Sequence, residues 1–258
     1  MTETIKNLVP PVYRLAMKGF NALRRPSGAK AVWKANLHSE VAFWDDYFAT
    51  KGGQWPETYL GRLDPNSELD PGIVAFLPPG DQPVEILDVG AGPLTMLGKK
   101  YQDRKLRIVA VDPLAAEYDK VLGKHGITPP VRTIRGEAEQ LSAQFGRDAF
   151  DLVHARNCID HSYSPETAVL EMLKVVRRDG FVLLFHGANE AERAGYEGLH
   201  QWNLSEKDGD FIISTKTSTL NFTQKYKELC KIRCVTMELV DGNPDEGYWL
   251  ETFIQRNA

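Results

Sequence analysis

The chain has 258 residues, 42% of them hydrophobic and 26% charged, the composition of a globular protein with enough chain for one enlarged domain and too little for two full-sized ones. No apolar run approaches the ~20 residues that cross a bilayer, and the start MTETIKNLVPP lacks the apolar block of a secretory signal. Cys158, Cys230 and Cys234 form no CxxC pair, so neither a disulfide framework nor a structural zinc site is suggested, and a reducing cytoplasm is expected.

The net charge of −4 gives no general attraction for nucleic acid. Its distribution is uneven. Residues 1–34 hold seven basic side chains (Lys6, Arg14, Lys18, Arg24, Arg25, Lys30, Lys34) against Glu3, so this arm carries +6 and the remainder −10. Val12, Leu15, Ala16, Phe20 and Leu23 recur near helical spacing within it. Such a segment either packs on its own domain or lies on an anionic surface, such as the inner face of a membrane where lipid-linked glycans are assembled.

Residues 36–50 predict an amphipathic helix with Leu37, Val41, Trp44, Tyr47 and Phe48 on one face, and a second short helix follows Pro56. From residue 84 the pattern changes. VEILDVG, LRIVAVD, VRTIRG, FDLVHAR and FVLLFHG read as strands buried on both faces, alternating with helices at LTMLGKKYQ, LAAEYDKVLGKHG, AEQLSAQF and PETAVLEMLKVVRRDG. After the fifth strand, Asp208-Gly209 marks a hairpin, a helix spans about 220–229, and IRCVTMELV and YWLETFIQR form a closing antiparallel pair. The expected fold is α/β: a doubly wound, mainly parallel seven-stranded sheet, with an N-terminal arm and helical lid over 1–75, a main domain over 76–258, and a substrate-side insertion at about 188–218.

At the first strand-to-helix junction stand Asp88, Gly90, Ala91, Gly92 and Pro93. Glycines there let the backbone turn and a ligand approach. Thr95 replaces the third glycine of a dinucleotide loop, and Pro93 removes an N–H that a pyrophosphate would use, which disfavours a nicotinamide or flavin enzyme. An adenosine without phosphates fits better. Asp112, followed by Pro113, ends the second strand about 20 residues on, where a carboxylate meets ribose hydroxyls, and Glu137-Ala138 follows the third strand, placed for an adenine amino group.

On these residues the sequence resembles the class I S-adenosylmethionine-dependent methyltransferases, over roughly residues 84–188 and the final strand pair. ILDVGAGPLT matches their glycine loop, Asp112 the ribose acid, Gly136-Glu137-Ala138-Glu139 the adenine-side motif and FDLVHARNCIDH the fourth strand with its loop. The resemblance implies S-adenosylmethionine as cofactor, Asp88 near its methionine amino end, Gly90 and Gly92 beneath it, and the backbone at Arg156-Asn157 closing its other side.

Chemistry on the acceptor calls for a base at the strand carboxyl ends. His161 and His186 qualify, though His161 serves equally well in a structural or cofactor-side role. The run His200-Gln201-Trp202-Asn203 adds a third histidine, hydroxyl-reading amides and an indole face, unless the indole plugs the core. Trp44, Tyr47 and Trp55 pose the same choice; the resemblance implies an N-terminal helical lid, so some of them, Trp44 and Tyr47 first, are expected to face the acceptor pocket. No dedicated metal site is expected, although Asp160-His161 with His186 offers potential ligands. The leading expectation is O-methylation of a saccharide, a glycoconjugate precursor or a similar hydroxylated metabolite. Methylation of a quinone-like or polyketide acceptor and a non-catalytic cofactor-binding subunit are the alternatives.

Overall fold

The computed structural model describes residues 28–238 and 248–257. The apolar stripe of residues 12–23 and most of the basic arm lie outside these; Lys30 and Lys34 lie within them.

The apolar runs form the strands β1 (Val84–Val89), β2 (Leu106–Asp112), β3 (Ile134–Arg135), β4 (Phe150–Arg156), β5 (Val176–Gly187), β9 (Cys230–Glu238) and β10 (Tyr248–Arg256) of one seven-stranded sheet. Its order is β3-β2-β1-β4-β5-β10-β9, and β10 alone runs against its neighbours. Successive residues of β1 face opposite ways, as strand geometry requires. Leu87 and Val89 enter a cluster with Ala168, Val169 and Met172 of helix α7 (Pro165–Val175). Val84 and Ile86 pack with Leu69, Ile73 and Leu97 on the other face. That two-sided burial makes β1 almost continuously apolar.

The N-terminal helices are α1 (Ala29–Asn36) and α2 (His38–Ala49), followed by α3 (Pro56–Leu63) and the single turn α4 (Pro71–Val74). The helix expected over 36–50 is α2, preceded across Leu37 by the unexpected α1, and the expected apolar face is present. Trp44, Tyr47 and Phe48 are buried against Leu114, Tyr118, Val121 and Leu122 of helix α5 (Ala115–Lys124) and its approach, with Leu37 and Val41 packed alongside.

Several expected elements differ. LTMLGKKYQ is not a helix. The Thr95 hydroxyl donates to Asp88 and accepts from the Leu97 N–H at 3.0 Å, and the next residues run beside 67–69, with Leu69 N to Lys100 O and Lys99 N to Ser67 O both at 2.7 Å. A Cβ on Gly98 would stand 2.0 Å from the Glu68 carbonyl oxygen. The helix read as running to Gly180 stops at Val175, where Val176 starts β5 and Asp179 takes a φ of 59° in the following turn. Only Ile134 and Arg135 of VRTIRG pair as strand. AEQLSAQF divides into a 3-10 turn at Ala138–Gln140 and helix α6 (Leu141–Phe145).

After a short turn of helix, α8 (Glu190–Arg193), the insertion is a three-stranded antiparallel sheet: β6 (Asn203–Lys207), β7 (Asp210–Ser214) and β8 (Thr219–Asn221). The expected hairpin turn at Asp208-Gly209 joins its first two strands. The helix expected over 220–229 shortens to α9 (Phe222–Tyr226), because Asn221 leaves the strand to cap it by accepting the Gln224 N–H at 2.9 Å. No helix among the described residues is long and apolar enough to cross a membrane.

Candidate active site

The loop after β1 is fixed from three sides. Ala91 N donates to Val111 O at 3.1 Å, Gly92 N to Asp112 Oδ2 at 3.2 Å, and the Thr133 hydroxyl to Gly92 O at 2.6 Å. Gly90 and Gly92 adopt φ of 65° and 63°. Their missing Cβ atoms matter to the protein itself: one on Gly90 would lie 2.4 Å from Cys158 Cβ, and one on Gly92 2.6 Å from the Trp44 ring. With Pro93 lacking an N–H, the amides of residues 91–93 have nothing to donate to a pyrophosphate.

Asp88 is buried, accepting from the Thr95 hydroxyl at 2.5 Å and pairing with His154 Nδ1 at 2.7 Å. Its carboxylate holds the loop together from beneath. Asp112 is also buried and accepts one backbone N–H on each oxygen, from Leu114 at 2.9 Å and from Gly92. Burial pushes its carboxyl up to about 7 against those two bonds. Each oxygen keeps a lone pair for a further donor. Pro113 follows at the approach to α5, and Ala138 opens the 3-10 turn beside Glu137.

Glu137 Oε2 accepts from Lys30 Nζ at 2.5 Å, Gln140 Nε2 at 2.7 Å and the Tyr163 hydroxyl at 3.0 Å. The N-terminal helix α1 is thereby tied to the acid expected on the adenine side. At the opposite flank, Arg156 turns its guanidinium onto Trp249, 4.6 Å from the ring centre. Asn157 takes a φ of 48°, its N–H bonded to Phe185 O and its side-chain oxygen accepting from Gly187 N.

Sequence reasoning passed over Arg62. Its guanidinium donates to Leu94 O just past the glycine loop and lies 5.1 Å over the Trp44 ring. Nε is buried without an acceptor, and no carboxylate among the described residues lies within ion-pair distance of it. Desolvation lowers its pKa to about 10. Asp88 and the Tyr47 hydroxyl offset that desolvation only in part; a ligand carboxylate would offset more. The buried Asp112, the half-buried Arg62 and the loop without phosphate-facing amides fit S-adenosylmethionine and do not fit a dinucleotide.

The other half of the site lies past β4. Asp160 is buried and meets two imidazoles on one oxygen: His200 Nδ1 at 2.9 Å and His161 Nε2 at 3.4 Å from Oδ2. The two rings stand edge to face, 4.5 Å between centres. Burial works to raise Asp160, yet the imidazoles hold it well below the usual carboxylate range. Burial likewise works to lower His200, and the bond to Asp160 with its charge raises it on balance. His186 differs: its Nε2 accepts the Ile159 N–H at 3.2 Å, its Nδ1 is buried without a partner, and burial lowers it to about 4.

His161 opens onto a cavity of about 300 Å³ walled by Trp33, Tyr163, Tyr196, Gln201 and Trp202, with Lys216 at its edge. Of the residues expected there, His161, Gln201 and Trp202 line it. Trp44 and Tyr47 do not: both are buried between α2 and α5, with Trp44 against Gly92. Trp55 is exposed. Asn203 is buried with its amide spent within the insertion, accepting from Glu192 N and donating to the Tyr196 hydroxyl. Gln201 donates to the carbonyls of Tyr196 and Gly198.

The doubly wound sheet, with an unphosphorylated adenosyl ligand favoured at its carboxyl ends, defines a Rossmann-like cofactor-binding domain. Residues 87–184 match the family model described as a methyltransferase domain, and this part of the chain is a methyltransferase domain. No curated protein sequence matches the chain. Among solved structures, phosphoethanolamine N-methyltransferase 2 of Haemonchus contortus, with phosphomonomethylethanolamine and S-adenosylhomocysteine, is 14% identical over 89% of this chain and 60% of its own, at a TM-score of 0.52. That likeness shows a shared fold. The CurJ carbon methyltransferase is 12% identical over 70% of this chain and 50% of its own, TM-score 0.47. The 1,6-didemethyltoxoflavin-N1-methyltransferase of Burkholderia thailandensis, with its substrate and S-adenosylhomocysteine, is 14% identical over 92% of both chains, TM-score 0.46. The chain spans half of CurJ and three-fifths of the Haemonchus enzyme.

Proposed function

We propose that the chain transfers a methyl group from S-adenosylmethionine to a hydroxyl of a small saccharide or glycoconjugate precursor held in the 300 Å³ cavity. The observation that carries this reading is Tyr163. Its ring lines the cavity while its hydroxyl bonds Glu137, the adenine-side acid, so the acceptor cavity adjoins the cofactor site through one side chain.

S-adenosylmethionine, when bound, supplies a methyl group on a sulfonium, already an activated electrophile. The remaining work is alignment of the acceptor oxygen and handling of its proton. Asp112 would hold the ribose, Glu137 the adenine and Arg62 the methionine carboxylate. Asp88 steadies the loop through Thr95 and His154. Trp33, Tyr163, Tyr196 and Trp202 offer flat faces for a ring, and the cluster of Asp160, His161 and His200 receives the hydroxyl. His186, its Nε2 occupied by a backbone N–H, serves the loop after β4 rather than the acceptor.

Purified chain incubated with S-adenosylmethionine and, separately, nucleotide sugars, lipid-linked sugars and quinones tests the assignment. O-methylated sugar product is expected. Transfer to quinones alone overturns the sugar assignment, and binding of cofactor with no transfer to any acceptor class overturns the catalytic one. The basic arm, in this reading, brings the protein to an anionic membrane face. Co-sedimentation with anionic vesicles should be salt-sensitive and lost on removal of residues 1–27; equal partitioning without them refutes it.

A further inference from the structure

We infer that Asp160, His161 and His200 form a binding site for a divalent transition metal of the zinc type at the base of the acceptor cavity. One ligand atom from each residue, a carboxylate oxygen and two ring nitrogens, falls within 4.8 Å of the others. This is the donor set that imidazole- and carboxylate-binding metals take, as distinct from the all-oxygen shells of magnesium and calcium.

His200 Nδ1 and His161 Nε2 converge on the same Asp160 oxygen at 2.9 and 3.4 Å, with the two rings edge to face and 4.5 Å between centres. Neutral imidazoles and an ionised carboxylate are the forms that ligate a metal. Two further features match. The other ring nitrogen of His161, Nδ1, faces Glu40 Oε1 of α2 at 3.7 Å, the side on which ligating histidines carry an outer carboxylate. His161 also lines the cavity, so a coordination position left open by three protein ligands faces the acceptor, as in catalytic rather than closed structural sites. Asp160 reaches the site from beneath because its loop is held by the Ile159 N–H on His186.

All six histidines of the chain lie among the described residues, and no second such cluster occurs there. Outside the cluster, His125 with Asp45 and His154 with Asp88 are simple pairs. The proposed role, holding the acceptor hydroxyl, rests on the methyltransferase reading; the site itself rests only on its ligand geometry.

The test uses the full chain, stripped with chelator and titrated with Co²⁺ and Zn²⁺. One equivalent should bind, Co²⁺ should develop visible absorption of a low-coordinate site, and Zn²⁺ should displace it. His161→Gln and His200→Gln should each weaken binding by at least about tenfold, while His125→Gln leaves it unchanged; thermal melts confirm that each variant is folded. Absence of stoichiometric uptake, or uptake indifferent to both cluster substitutions, overturns the site. Uptake with methyl transfer identical in stripped and loaded protein overturns the role. S-adenosylhomocysteine binding to the stripped protein is read in parallel, so failure of the metal site is told apart from failure of the cofactor site.

Discussion

Replacing Asp112 by asparagine should move cofactor affinity and folding stability in different directions, and both shifts follow from the burial of one carboxylate. The side chain accepts Leu114 N on one oxygen and Gly92 N on the other, leaving one lone pair on each for the ribose. Asparagine turns one of those oxygens into a donor, so one backbone N–H and one ribose hydroxyl lose their acceptor. A hydrogen bond to a charged group contributes about 1.5–3 kcal/mol, or roughly 10- to 150-fold in affinity. That loss should be fully visible at pH 8.5. Burial raises the Asp112 carboxyl to about 7, and ribose donors favour its ionised form. At pH 6 only about a tenth of the wild type is ionised, so its own affinity should drop about tenfold and the gap between the proteins should narrow by that factor. Stability has the opposite sign. A carboxyl raised from 3.8 to about 7 on folding favours the folded state below that window, and the advantage is lost as pH rises through it. The asparagine variant lacks this loss, so its melting temperature relative to wild type should improve between pH 4 and pH 8. Calorimetry with S-adenosylhomocysteine and thermal melts, both across pH, read the two effects. Unchanged affinity at pH 8.5, or a wild-type to variant ratio that does not vary with pH, would refute the reasoning.

Arg62→Ala should weaken S-adenosylmethionine binding by about tenfold or more, with Arg62→Lys intermediate, while the acceptor KM at saturating cofactor stays constant; calorimetry and initial rates separate the two. Trp202→Ala should raise the acceptor KM and leave the cofactor Kd within a factor of two or so, since the indole walls the cavity and packs beside the core without reaching the glycine loop. Gly98→Ala should destabilise the fold by about 1–3 kcal/mol, because its Cβ would meet backbone of the 67–69 segment. Gly123→Ala, in α5 with open space around it, should instead stabilise by about 0.5–1 kcal/mol in denaturant melts.

The central strands were legible because they are covered on both faces and read as near-continuous apolar runs, as in VEILDV and FDLVHAR, while the closing YWLETFIQR was legible from its alternation. The glycine loop, Asp112 and the DH pair were legible because they sit at strand ends, where sequence order fixes spatial order. What escaped depends on contacts between distant segments. LTMLGKKYQ has helical spacing, yet the Thr95 hydroxyl takes the Leu97 N–H and residues 67–69 claim the backbone beyond it. Trp44 and Tyr47 have the composition of a pocket wall, but α2 lays them on α5. Trp33, which lines the cavity, lies one helix earlier than the lid aromatics chosen from sequence. Arg62 carries no signal in sequence at all; only its burial beside Leu94 and Trp44, with Nε lacking an acceptor, singles it out. The cluster at Asp160 joins residues 40 positions apart, a distance that no spacing rule bridges.

The most direct measurement is isothermal titration of the full-length folded chain with S-adenosylmethionine and with S-adenosylhomocysteine, NADH serving as the dinucleotide control. One equivalent of each adenosyl ligand should bind, competitively with one another, with no heat from NADH. Absence of adenosyl-ligand binding by well-folded protein, or tighter binding of the dinucleotide, would contradict the assignment of the loop at Gly90–Gly92, Asp112 and Arg62 as a methyl-donor site.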